Sequence, residues 1–267
     1  MTTPSTTPAV RTGAPIWIEL STHDPQGAED FYGQLFGWQF QDQGEAFGHY
    51  QLVAGPSGPL AGAMSTLMGP EGPTSEPTGP TAWTVYLGTG DIGATSAGTP
   101  SAGGSVLVAP MPVPDFGTMG VLAAPSGAVV GAWQPGPFTG FDLTMHYRTP
   151  VWFECLTTDF DADLAFYQQV FDWRPHEDSK PGEPRYVTNG IGEDAVCGLY
   201  DATSFDPPVE PHWRVYFAVD DCQTACETIR QLGGQVRGGP EESAYGPVAS
   251  VADPQGAHFQ IITIPAH

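Results

Sequence analysis

Apolar residues alternate with other types over Pro15-Ile16-Trp17-Ile18-Glu19-Leu20, which predicts a strand that carries Trp17 and Glu19 on one face. Asp24-Pro25 then has the form of a helix start, with Asp as the cap and Pro at the first helical position. Ala28, Phe31, Tyr32, Leu35 and Phe36 recur at helical spacing and give that helix its buried face, and Gly37 ends it. Short strands are predicted at 38–41, 50–54 and 62–65, a Gly/Pro/Ser/Thr-rich loop at 69–80, and a further strand at 82–87. Residues 91–98 read as an eroded helix, and strands at 106–111, 117–123 and 129–134 close the unit. The order is β-α-β-β-β, twice.

The same pattern then returns. Trp17 and Glu19 are answered by Trp152 and Glu154, and Tyr32 and Trp38 by Tyr167 and Trp173, all at one offset (152 − 17 = 135). Trp83-Thr84-Val85-Tyr86-Leu87 is answered by Trp213-Arg214-Val215-Tyr216-Phe217, and Ala124-Pro125-Ser126-Gly127-Ala128 by Asp253-Pro254-Gln255-Gly256-Ala257. In this second copy helices are predicted at 159–171 and 220–232, with strands near 173–177, 185–189, 195–200, 212–219, 234–238, 247–252 and 258–264. A gapless match across strand, loop and helix predicts two homologous domains, 15–135 and 150–265. Residues 136–149 are the expected linker, and 1–14 an expected disordered tail. The period is too long for a solenoid.

Charge narrows the partners. Eight Lys+Arg stand against 30 Asp+Glu, a formal charge of −22. Like charge repels phosphate, so nucleic acid and anionic membrane are not expected partners. A cationic ligand is favoured by the overall field, although solubility is the simpler reason for the acidity. No apolar run reaches spanning length, and the N-terminus has neither a basic start nor an apolar stretch, so a cytoplasmic protein is expected. All four cysteines, Cys155, Cys197, Cys222 and Cys226, lie in the second copy. A disulfide framework belonging to the fold would appear in both, so free thiols are expected. Cys222 and Cys226 share one side of a helix without a second ligand pair near them, and read as small core residues.

The residues that carry a family resemblance are Trp-x-Glu in the first strand, Asp24 with Phe31-Tyr32 and Phe36-Gly37-Trp38, Val219-Asp220-Asp221 before the last helix, and the closing Asp253-Pro254-Gln255-Gly256. This combination resembles the vicinal oxygen chelate superfamily, which includes glyoxalase I, bleomycin-resistance proteins and extradiol dioxygenases. Two fused copies look most like the tandem glyoxalase/bleomycin-resistance-like proteins of actinobacteria, some of which are associated with antibiotic gene clusters. The resemblance implies an α+β fold in which each domain pairs βαβββ modules into a curved open sheet, with helices on the convex side and a pocket on the concave side. In the metal enzymes of that superfamily, His, Gln or Glu on facing strands hold a divalent ion there.

Aligned on Asp24 and Asp159, the first-strand metal positions fall on Trp17 and Trp152, whose indoles have no lone pair to give. The remaining positions fall on Thr84 and Gly131 in the first copy and on Arg214 and Gln260 in the second. The expected ligand set is missing from both, and no metal or other cofactor is predicted. A displaced site at Glu154, His212 and Gln260 is the alternative. The reading preferred over it pairs Glu154 with Arg214, whose charge would repel an ion.

What remains is an aromatic site with carboxylates. Glu19 and Glu154 are the candidate catalytic groups. Trp17, Trp83, Tyr86, Trp152, His212, Arg214, Tyr216 and Gln260 are the candidate ligand-binding residues, with Phe259 and Tyr245 as further aromatics. Trp83 and Tyr86 cannot both face inward on a regular strand. The expected function is metal-independent binding of a small aromatic or polyketide-like natural product, in antibiotic biosynthesis or self-resistance. The alternative is an enzyme acting on such a compound by acid/base chemistry, or as a metal-dependent lyase or dioxygenase. A monomer or weak homodimer is expected, because duplication can supply within one chain the module pairing that single-domain members obtain between chains.

Overall fold

The computed structural model describes residues 11–69, 72–141, 146–180 and 182–264. Residues 1–10 of the expected tail, 142–145 of the expected linker, and 265 lie outside them.

The first repeat runs β1 (Pro15–Thr22), α1 (Pro25–Phe36), β2 (Gln39–Asp42), β3 (Gln51–Gly55), β4 (Gly58–Ser65), a small hairpin of β5 (Met68–Gly69) and β6 (Gly72–Pro73), β7 (Ala82–Gly88), α2 (Ile92–Gly98), β8 (Ser105–Val113), β9 (Gly117–Ala123) and β10 (Val129–Pro135). The second runs β11 (Pro150–Thr157), α3 (Phe160–Phe171), β12 (His176–Glu177), β13 (Tyr186–Thr188), β14 (Gly198–Asp201), β15 (His212–Val219), α4 (Cys222–Gln231), β16 (Gln235–Ser243), β17 (Gly246–Ala252) and β18 (His258–Thr263). The two eight-stranded sheets have matching orders, β2-β3-β4-β1-β7-β10-β9-β8 and β12-β13-β14-β11-β15-β18-β17-β16. This is an α+β fold of two tandem repeats, each built from two βαβββ modules.

Local chemistry explains why the modules start alike. Asp24, Asp91, Asp159 and Asp221 cap the four helices, each side chain accepting from the backbone N–H three residues on. Such a cap contributes about 1 kcal/mol. Two predicted elements differ. The loop at 69–80 overlaps the β5–β6 hairpin, in which Met68 pairs with Pro73 and Gly69 with Gly72. The strand near 173–177 shrinks to His176–Glu177 because Pro175 has no N–H to give a ladder.

The chain divides into two compact units that do not follow the repeats. One comprises the N-terminal residues to Ile16, Tyr86–Gly140 and Thr157–Pro211; the other comprises Trp17–Val85, Phe141–Leu156 and the chain from His212 onward. Each unit therefore joins the first module of one repeat to the second module of the other. In the unit that begins at Trp17, buried Phe217 lies among Trp38, Phe36, Trp83 and Phe259, with ring centroids 5.2, 5.4, 5.5 and 5.6 Å away. Trp38 donates its indole N–H to the carbonyl of Arg148 at 2.8 Å.

In the other unit Tyr167 stacks on Trp173 at 4.7 Å, and Trp173 donates to the carbonyl of Gly13 at 2.9 Å. The two indole bonds are counterparts at the repeat offset. The second one corrects an expectation, since residues 11–14 are not a loose tail. Gly13 N–H donates to Gly88 and Gly88 N–H to Ala14, both at 2.9 Å.

A buried relay ties α1 to the turn after β17. Trp83 Nε1–H donates to Tyr32 Oη at 3.0 Å, and Tyr32 donates to Asp253 Oδ2 at 3.0 Å. Burial raises the Asp253 carboxyl above its ordinary 3.8, against the lowering effect of its hydrogen bonds. The folded state then holds this proton more tightly than the unfolded chain, so stability falls as pH rises from 3.8 through the folded value. Tyr32→Phe removes one of the lowering bonds and strands the Trp83 donor. We expect it to cost about 1–3 kcal/mol, and to cost more at pH 7 than at pH 4. Urea unfolding at the two pH values checks this, and a cost that shrinks with rising pH would contradict it.

Candidate functional site

Strands β11, β15, β18 and β17 present two faces of opposite character. Phe153, Cys155, Trp213, Val215, Phe217, Phe259 and Ile261 are buried and alternate with the residues of the other face. That other face carries Trp152 and Glu154 on β11, His212, Arg214 and Tyr216 on β15, and Gln260 on β18. The register places Trp152 opposite Tyr216, Glu154 opposite Arg214, and Tyr216 opposite Gln260.

Glu154 is the centre of this face and only 8% exposed. Its Oε2 accepts from Arg214 Nε at 2.8 Å, from Arg214 Nη2, and from Tyr216 Oη at 2.8 Å. Burial, then the Glu154 charge, hold the Tyr216 phenol well above its ordinary value, so it stays a donor. The Arg214 guanidinium also lies 5.4 Å from the Tyr216 ring centroid. Gln260 Nε2 donates to Ser250 Oγ at 3.2 Å. Beside this polar centre is a buried apolar cluster of Tyr216, Ala218, Ile262 and Ile264, with the partly buried Tyr147, Val151, Trp152 and Val248 packed against it.

The first-repeat residues form a different arrangement. Trp17 Nε1–H donates to Tyr50 Oη at 3.2 Å, and Tyr50 also bonds Glu19. Burial first, and Glu19 second, push the Tyr50 phenol well above its ordinary value. Its ring lies over Gly62, where a Cβ would come within 1.6 Å of the hydroxyl. Gly62 is the β4 residue paired with Glu19, so the missing side chain is what admits the tyrosine. In the other compact unit, Tyr86 lies over Gly131 in the same manner, 2.2 Å from a notional Cβ.

Trp83 and Phe259 belong to the aromatic core around Phe217 and face the helices, not the site; strand parity decides this. Tyr245 is 71% exposed at the turn between β16 and β17. Among the described residues the structure brings together Glu154, Arg214, Tyr216, Trp152 and Gln260, and, as a separate set, Trp17, Glu19 and Tyr50. Sequence reasoning missed Tyr50 and His258. A signal for Tyr50 existed, since Tyr50/Gly62 and Tyr186/Gly198 recur at one spacing and both tyrosines lie over their glycines. His258 precedes Gln260 by two residues and shares its face.

The residues at the superfamily's metal positions do not fit an ion. Trp17 and Trp152 offer no lone pair, the Tyr86 ring occupies the space of a side chain at 131, and Arg214 is a cation bound to the nearest carboxylate. Among the described residues no three His, Cys, Asp or Glu side chains converge where an ion could sit. Cys222 and Cys226 are free and buried on α4, and burial pushes the Cys222 thiol up to about 12, so it remains protonated. A cavity of about 850 Å³ in the unit containing the N-terminal residues is bordered by Arg11, Asp172, Trp173 and Arg174, and includes none of the candidate residues. Among the described residues no helix is long and apolar enough to cross a membrane.

Comparison with known proteins agrees with this architecture. The model of the Glyoxalase/Bleomycin resistance protein/Dioxygenase superfamily matches residues 15–131 and 149–261. The anthracycline biosynthesis protein DauV of Streptomyces sp. (strain C5) is 31% identical over 259 residues, covering 94% of each chain. CFP32 of Mycobacterium bovis is 32% identical over 255 residues, covering 94% of this chain and 95% of its own. Among solved structures, the 2,3-dioxygenase LapB of Pseudomonas sp. KL28 superposes with a TM-score of 0.63 over 97% of this chain and 95% of its own. At 10% identity that likeness concerns the fold alone.

Proposed function

The chain belongs to the Glyoxalase/Bleomycin resistance protein/Dioxygenase superfamily, and we propose that within it this protein binds a small aromatic, polyketide-like natural product without the help of a metal ion. The observation that carries the reading is the commitment of Glu154 to Arg214 and Tyr216. An arginine standing where the superfamily places a ligand neutralises the carboxylate that a displaced ion would need. What is left is a polar centre beside an apolar cluster whose partly buried edge, Tyr147, Val151, Trp152 and Val248, suits a flat ring system oriented by a few hydrogen bonds. The relation to a protein named for anthracycline biosynthesis supports a polycyclic aromatic ligand and a place in natural-product biosynthesis or self-resistance.

The test is a titration of the intact protein with a hydroxyanthraquinone, followed by Trp fluorescence, with product analysis alongside. Trp152→Ala should weaken binding by about 1–3 kcal/mol through lost aromatic contact. Dialysis against a chelator should leave affinity unchanged. One tightly held transition ion per chain, lost in Glu154→Ala, would overturn the metal-free reading. Conversion of the ligand, abolished in Glu154→Gln, would make the protein an enzyme instead of a binder.

A further inference from the structure

The cavity of about 850 Å³ lies within the unit that holds the N-terminal residues, apart from the aromatic site. Ala14, Trp173 and Gly190 border it as buried residues. Its rim is exposed and carries two arginines, Arg11 and Arg174, and two aspartates, Asp172 and Asp194. Among the described residues none of these four side chains forms an ion pair. Opposite charges thus border one space without neutralising each other across it. The volume is in the range of pockets that enclose a small organic molecule.

Asp172 is held there against its own preferences. It ends α3 in the left-handed region, at φ 55° and ψ 30°, where a residue with a Cβ is disfavoured. The matching end of α1 is Gly37, at φ 71°, so the fold is served by a glycine at this place. Asp172 also sets a negative charge beside the negative end of a 12-residue helix, where a cation is favoured. No basic partner offsets either penalty among the described residues. Arg174 likewise answers a neutral residue, Gln39, at the repeat offset (174 − 39 = 135). A strained and self-unfavourable group on the rim of a cavity points to a ligand. A ligand ammonium relieves it, because it meets both the Asp172 carboxylate and the carbonyl end of α3.

The neighbouring wall is tightly bonded. Asn189 Oδ1 accepts from the N–H groups of Val196 and Cys197 at 2.9 and 3.2 Å, and its carbonyl accepts from Arg174 N–H at 3.3 Å. These bonds fix the amide and leave its own N–H groups to donate. At Gly190 a Cβ would come within 2.8 Å of the Asp194 carbonyl oxygen, so the loop is folded closely on itself. It carries Ile191, 68% exposed, as an apolar edge of the cavity.

We propose that this cavity is a second small-molecule site, which takes a zwitterion with an apolar body of about the size of a tripeptide. The ammonium lies at Asp172, with Asp194 as the second acid of the rim. The carboxylate lies at the Arg11 and Arg174 guanidiniums and the Asn189 amide, and the apolar part lies against Ile191 and Val196. The site shares no residue with the aromatic-ligand reading above and stands or falls without it.

Isothermal titration calorimetry of the full chain compares trileucine with N-acetyl-trileucine, which lacks the ammonium, and with trileucine amide, which lacks the carboxylate. The free peptide is expected to bind at least about tenfold tighter than either capped form, the equivalent of one charge-assisted hydrogen bond. Asp172→Gly should abolish the preference over the N-acetyl form and keep the preference over the amide, while raising the midpoint of thermal unfolding by about 1–3 °C. The double replacement Arg11→Gln with Arg174→Gln should do the reverse, abolishing only the preference over the amide. Absence of trileucine binding at millimolar concentration, or equal affinity for the three peptides, overturns the site. Preferences that survive in the variants overturn the assignment to these residues. A lower unfolding midpoint in Asp172→Gly would show that Asp172 serves the fold, and overturns the ammonium position.

Discussion

Arg214→Ala should lower folding stability by about 3–5 kcal/mol, far more than the loss of a surface ion pair. The side chains of Arg214 and Glu154 are only 18% and 10% exposed, and the guanidinium makes two hydrogen bonds to Glu154 Oε2 beside the one from Tyr216 Oη. Removing it leaves a buried carboxylate with the Tyr216 hydroxyl as its remaining donor on that oxygen. The double replacement Glu154→Leu with Arg214→Met should be milder than the single one, because no charge is then stranded. Urea unfolding at pH 7 measures both. A single-variant loss below about 1 kcal/mol would mean that the pair behaves as a solvated contact, leaving the Glu154 carboxylate open to an ion.

Phe217→Ala is expected to cost about 3–5 kcal/mol as well, by a different route. Phe217 is fully buried and its ring meets those of Phe36, Trp38, Trp83 and Phe259. Those rings come from both repeats and cannot all shift to fill the void. Its neighbour Tyr216 faces the other way, so the Glu154 bonds should persist in the variant. Thermal unfolding reads the cost, and ligand titration reads the site. A variant that keeps its stability would show that the rings repack, and the aromatic core would then not be what holds α1 in place.

Much of the fold was legible because its signals are local. Four aspartates cap four helices, and strand alternation puts Trp152 and Glu154 on one side and Phe153 and Cys155 on the other. The Glu154–Arg214 pair was legible for the same reason: both residues sit at matched positions on neighbouring strands. Trp83 and Phe259 were misplaced where composition was weighed ahead of parity, since an aromatic on a strand serves whichever face its number gives it. The compact units were not legible at all. Similarity between repeats says which modules are alike, but not which module covers which. Packing of Phe36 against Phe217 depends on side-chain surfaces brought together from opposite ends of the chain.

The joining of modules from different repeats also sets an order of events on the ribosome. Tyr32 leaves the exit tunnel 221 residues before Asp253, its hydrogen-bond partner. At about 5–20 residues per second that interval is about 10–45 s. Throughout it, the apolar side of α1, with Phe31, Tyr32 and Phe36, has been synthesised without β15 and β18, whose Phe217 and Phe259 complete its packing. The nascent first repeat therefore resembles a chaperone client, although the finished protein buries that surface completely. Exposed apolar surface of this kind is what makes a partly folded chain prone to aggregate, so those three rings are the ones to shield until the last strands arrive.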